Sequence, residues 1–167
     1  MIDVDESFAD PYPDISIASA AGRTRLVVLR SIGKFYGLAG LRLGFVLGCK
    51  NDIDRLAQLA GPWPVSGPAI HVGKCALLDI NWAAKTTVRL KRDADRLDDL
   101  TTRSGWTSAE GTSLFRLYAT EDSRSAQDSL AKSHIWSRIF PWSAHLVRLG
   151  LPGNDTEWDR LTSALQG

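Results

Sequence analysis

A hydroxyl, an amine and a guanidinium follow one another in Ser31-Ile32-Gly33-Lys34-Phe35-Tyr36-Gly37-Leu38-Ala39-Gly40-Leu41-Arg42-Leu43-Gly44. Glycines at 33, 37, 40 and 44 let the backbone approach a ligand closely and adopt positive φ. Ser31 and Arg42 converging beside Lys34 would hold a phosphate that has a carbonyl nearby, since hydroxyl and guanidinium both donate to phosphate oxygens. The amine forms a Schiff base with such a carbonyl once desolvation or neighbouring cations lower its pKa. A lysine in a glycine-rich turn without those two neighbours would read as an ordinary surface residue. Arg148 sits in the apolar run His145-Leu146-Val147-Arg148-Leu149-Gly150. On a strand it points away from Val147 and Leu149 and needs an anionic partner, either a bidentate carboxylate ligand or an acid of the chain itself. Asp5, in Val4-Asp5-Glu6-Ser7-Phe8, reads by itself as a strand-end or turn aspartate.

Regular elements must position these groups. Leu26 to Ser31 is a β-branched run that reads as a strand buried on both faces, and Leu43 to Gly48 reads as another. Ile2 to Val4 is the stub of a third strand. A helix from Asn51 carries Leu56, Leu59 and Ala60 on one face and stops at Gly61-Pro62. Ser66 is placed to cap one long helix running to about Arg103, with Ile70, Gly73, Leu77, Ile80, Ala84, Val88, Ala94 and Leu97 as its apolar stripe. Its interleaved Arg and Asp residues read as a solvated, salt-bridged face rather than a nucleic-acid patch. Beyond it the pattern predicts a strand over 113–119, a helix over 121–133, strands over 135–140 and 145–151, and a helix from Asn154 or Thr156 to about Leu165. Arg116, between Phe115 and Leu117, alternates outward on the first of these strands and is not counted among the site residues. A domain boundary is expected near residue 104, giving domains 1–103 and 104–167.

Composition narrows the class further. The 167 residues are 44% hydrophobic and 23% charged, with a formal net charge of +1. This excludes a disordered chain, a disulfide scaffold and a collagen-like fibre. The even charge balance gives no electrostatic reason to expect nucleic acid or an anionic membrane as a partner. No apolar run approaches the ~20 residues needed to span a bilayer. The acidic N-terminus lacks the features of a secretory signal, so a cytoplasmic location is expected. Cys49 and Cys75 have no metal-site spacing and are expected to be two buried, reduced thiols. His71, His134 and His145 likewise lack metal-ligand spacing, and no metal is expected.

The lysine segment resembles that of fold-type I pyridoxal-phosphate enzymes, above all the class I/II aminotransferases, where S-x-x-K precedes G-L-x-G-x-R. The resemblance implies that Lys34 is the Schiff-base lysine and that Ser31 and Arg42 hold the cofactor phosphate. Val4 to Phe8 resembles the family's V-D-E-A-Y/F, which gives Asp5 the place opposite the pyridine nitrogen. Phe8 stands where many members have a tyrosine bonded to the cofactor's 3-hydroxyl. Arg148 takes the family position that binds the substrate α-carboxylate.

The implied fold is α/β: the C-terminal part of the large domain, with a mixed, mostly parallel sheet and helices, followed by a small α+β domain. The lysine segment, Gly61-Pro62-Trp63-Pro64-Val65-Ser66-Gly67-Pro68 and Arg148-Leu149-Gly150-Leu151-Pro152-Gly153 are most similar to the cobalamin-biosynthesis branch, the threonine-phosphate decarboxylases related to histidinol-phosphate aminotransferases. The resemblance thus implies a pyridoxal-phosphate enzyme that decarboxylates a phosphorylated amino acid, with a small-molecule substrate and a homodimeric assembly. An aminotransferase of the histidinol-phosphate type is the alternative. So is a truncated, non-catalytic remnant, since the chain begins almost at Asp5.

Overall fold

In the computed structural model, which describes residues 2–23 and 25–166, the chain divides into two compact units, Met1–Ala83 and Ala84–Gly167. The first is built on a three-stranded sheet in the order β1 (Ile2–Asp5), β2 (Leu26–Ser31), β3 (Gly44–Leu47). β1 runs parallel to β2 and β3 antiparallel to it, with Asp5 level with Leu29 and Ser31 level with Gly44. β2 is central because its β-branched pair, Val27 and Val28, fills both sides of the pleat and is buried. Burial on both faces ends there: Leu29 is 38% exposed and joins Val46, Leu56 and Leu59 along an apolar groove of about 470 Å³ between the sheet and α1 (Lys50–Ala60).

The single helix expected from Ser66 to Arg103 is two helices, α2 (Gly67–Leu78) and α3 (Ile80–Arg103). Ser66 caps the first, accepting from the Ala69 N–H at 3.3 Å. Asp79 makes the break. Its backbone leaves helical geometry, and its carboxylate accepts the Trp82 N–H at 2.9 Å, capping the helix that follows. A short acidic side chain competes for backbone donors in this way and favours a cap over a helix interior. Ile70, Leu77, Ile80 and Val88 of the expected stripe are exposed, while its Gly73, Ala94 and Leu97 are buried together with Ala69, Thr86, Leu90, Asp93, Leu100 and Thr101. The unit boundary at 83/84 falls near the start of α3, the helix that the sequence reading assigns to the first domain.

The second unit is an antiparallel sheet in the order β4 (Thr107–Thr112), β5 (Phe115–Ala119), β7 (Ser143–Gly150), β6 (Arg138–Phe140). β4 has no apolar alternation that would reveal it; it is a polar edge strand with a bulge between Ser108 and Glu110. Leu97 and Leu100 of α3, Leu130 of α4 (Ser123–Lys132), and Trp158 and Leu161 of α5 (Asp155–Gln166) close on Tyr118, Val147 and Leu149 of the sheet. Each large side chain so buried contributes about 1.5–3 kcal/mol.

The thiols differ from expectation. Cys75 is exposed on α2, and Cys49 is only partly buried at the N-cap of α1, its Sγ donating to Asp52 Oδ2 at 3.2 Å. Among the described residues no helix is long and apolar enough to cross a membrane, and no group of three or more His, Cys, Asp or Glu side chains could hold a metal ion.

Candidate active site

The chain leaves β2 at Ser31 and turns at once. Ser31 Oγ accepts the Gly33 N–H at 3.1 Å, which leaves its own proton free to be donated. Gly37 N–H to Lys34 O and Leu38 N–H to Ile32 O, both 3.1 Å, close the loop, and Gly37 holds φ +69°. A short 3-10 turn, Ala39–Leu41, ends at Arg42, whose φ of +53° is a left-handed conformation that a side chain rarely adopts. Two glycines allow the close packing: a Cβ at Gly33 would lie 3.1 Å from Ala39 Cα, and one at Gly44 would lie 3.2 Å from Arg30 O. The outcome is a cavity of about 240 Å³ with Ser31, Lys34 and Arg42 around it. Among the described residues no carboxylate pairs with Arg42.

Asp5 stands at the end of β1, beside this loop. Hydrogen bonds from Ser7, whose backbone N–H lies 2.8 Å from Oδ1, hold its carboxyl below the usual carboxylate range, and the nearby Lys34 charge acts in the same direction. Lys34 Nζ lies 5.4 Å from the centre of the Phe8 ring, a cation–π contact. The carboxyl ends of the parallel pair β1–β2 therefore gather Asp5, Ser31 and Lys34, the end at which open α/β sheets bind ligands. Hydroxyl, guanidinium and amine at one glycine-walled cavity, next to an ionised carboxylate, fit a phosphate-bearing aldehyde with a basic ring nitrogen.

Arg148 belongs to the second unit. Its neighbours Val147 and Leu149 enter the core, and Arg148 occupies the opposite face of β7 with its guanidinium 4.9 Å over the Phe115 ring. Directly across from it in register is Arg138 of β6, itself over the Phe140 ring. Burial and then the Arg138 charge push the Arg148 guanidinium down from its ordinary value. Among the described residues neither arginine has a carboxylate partner. Two guanidiniums on paired strands, with no carboxylate partner among the described residues, have the chemistry to receive an anionic group. Sequence reasoning missed Arg138 because a register shift between Ile139 and Phe140 decides which residue faces Arg148.

Arg116 is engaged within the second unit. It points to the helix side of the sheet and grips Asp98 of α3 with two bonds of 2.9 and 2.6 Å, while the Tyr118 hydroxyl donates to the same carboxylate at 2.7 Å. Burial, and next the bond to Asp98, push the Tyr118 phenol up. Arg116 is thus a structural ion-pair residue, with no free guanidinium to offer a ligand.

Residues 2–164 match the aminotransferase class I and II family. The threonine-phosphate decarboxylase of Pseudomonas aeruginosa is 43% identical over 164 residues, which are 98% of this chain and 49% of that protein. The threonine-phosphate decarboxylase of Sinorhizobium sp is 39% identical, with 97% of this chain and 48% of that protein aligned. The chain thus spans about half the length of these curated relatives. Among solved structures, the histidinol-phosphate aminotransferase from Sinorhizobium meliloti in complex with pyridoxal-5'-phosphate superposes with a TM-score of 0.86 at 18% identity, covering 99% of this chain and 47% of that one. At that identity the likeness is one of fold.

Proposed function

Because the chain belongs to the class I and II aminotransferase family, we propose that it binds pyridoxal 5'-phosphate at the Ser31–Arg42 loop and acts on a phosphorylated amino acid, as a threonine-phosphate decarboxylase does. The observation that carries this reading is the convergence of Ser31, Lys34 and Arg42 on one cavity beside an ionised Asp5. The same reading takes the protein to be a cytoplasmic homodimer.

When bound, the cofactor supplies an aldehyde for an amine and a protonated ring that accepts the electron pair of a bond broken at the substrate α-carbon. Lys34 Nζ is the amine that holds it and, when released, the base or acid that moves a proton at that carbon. Ser31 Oγ and the Arg42 guanidinium anchor the phosphate, fixing the ring's position relative to Lys34. The ionised Asp5 carboxylate favours the protonated ring nitrogen. Arg148 and Arg138 bind the substrate's carboxylate and phosphate, and their adjacency favours a substrate that carries both over one with a single anionic group.

Titrating the purified chain with pyridoxal 5'-phosphate should produce a visible absorption band that Lys34→Ala abolishes. Supplying threonine O-3-phosphate should then release carbon dioxide. Keto-acid formation instead would assign the aminotransferase alternative. A chain that gives no band at saturating cofactor would sink the proposal and leave the non-catalytic reading.

A further inference from the structure

Glu6 follows Asp5 directly, and Arg30 directly precedes Ser31. Glu6 is only 5% exposed; it accepts from Ser16 Oγ at 2.6 Å, from the Ile17 N–H at 2.7 Å and from Arg30 Nη1 at 3.3 Å. The other arm of the same guanidinium, Nη2, reaches Asp10 Oδ1 at 2.5 Å. Asp10 is itself mostly buried, and its second oxygen is buried without a hydrogen-bond partner, so Arg30 carries the neutralisation of this carboxylate. One arginine on β2 thereby bridges two acids of the segment that leaves β1. Tyr36, two residues beyond Lys34, lies in the field of both Asp10 and Arg30. None of these groups enters the mechanism above.

We propose that Arg30 is a positioning residue: by bridging Glu6 and Asp10 it locks the segment after Asp5 to the end of β2, and so fixes the distance of the Asp5 carboxylate from Ser31 and Lys34. The β1–β2 ladder alone leaves this open, because its last strand pair is Asp5 with Leu29, and among the described residues the main-chain bond that continues it runs from the Glu6 N–H to Leu29 O. The two carboxylates are 5 and 8% exposed, so an unbridged one would lie buried without a counter-charge. The planar fork of arginine can serve both at once, whereas lysine offers one compact ammonium.

The inference rests on the cofactor reading, but part of its test does not. Amide exchange of Arg30→Lys without cofactor should be faster by about tenfold at residues 6–17 and 31–44, with 84–166 unchanged. With cofactor, the same variant should bind about 10- to 100-fold more weakly, the range seen when a supporting group behind a ligating one is lost. The pH midpoint of its visible band should also move. Asp10→Asn, which leaves Arg30 on Glu6, should shift both readouts in the same direction by about threefold, and it decides the matter if Arg30→Lys does not fold. Unchanged exchange at 31–44 together with an unmoved midpoint overturns the inference, even if melting temperatures fall. If the wild-type chain gives no band, the cofactor reading fails while the exchange arm still decides the clamp.

Discussion

At the scale of single residues, Lys34, Ser31 and Arg42 were legible because their requirements are local. A loop that must turn within a few residues of a strand records itself in glycine spacing. Arg138 was not legible, because a cross-strand neighbour is set by hairpin register. The partner of Arg116 was not legible either, because strand alternation gives two faces without saying which one a helix covers. Asp5 gives a pH prediction with a defined sign. Its folded-state pKa lies below the ordinary 3.8, so the stability it contributes is present above that value and is lost as pH falls through the folded-state value. Asp5→Asn should therefore lower stability slightly at pH 7 and converge on wild type as pH falls through the folded-state value, flattening the acid limb, as urea titrations across pH would show. The arginine pair gives a binding prediction. Arg138→Ala should weaken binding of a phosphorylated amino acid about 10- to 100-fold while changing affinity for the unphosphorylated amino acid much less, as calorimetric titration would register.

Elements decide how these residues are held. Most strands and helices were readable from apolar runs and caps, but the break at Asp79 was not, since the three-four spacing runs on across it with no glycine or proline to mark a stop. The break matters because α2 brings Gly73 against the lysine loop: a Cβ there would overlap Leu43 Cδ2, and Leu43 lines the cavity of Ser31 and Arg42. Gly73→Ala sets about 1 kcal/mol of helix propensity against about 1–3 kcal/mol of overpacking. The expected outcome is a melting temperature within a few degrees of wild type and a several-fold loss of cofactor affinity, because Leu43 is a flexible side chain that can move into the cavity. In the second unit, Leu97 is fully buried among the side chains of α4, α5 and the sheet. Leu97→Ala should cost about 2–5 kcal/mol, measurable by chemical denaturation, with the Lys34 band unaffected at low denaturant.

For the molecule as a whole, fold class followed from the resemblance of a few short motifs, and the three-dimensional likeness extends over nearly all of the chain. What short motifs could not convey is how the chain's surface is finished. β1 and β3 are the outer strands of the first sheet, and beside β3 runs the groove of Leu29, Val46, Leu56 and Leu59. Backbone donors and acceptors at such edges template further strands, and the groove adds an apolar face next to them. A net charge of +1 supplies almost no repulsion between copies. The colloidal consequence is that light scattering by the isolated chain should increase with concentration near neutral pH. It should fall when Val46→Lys places a charge on the exposed face of β3.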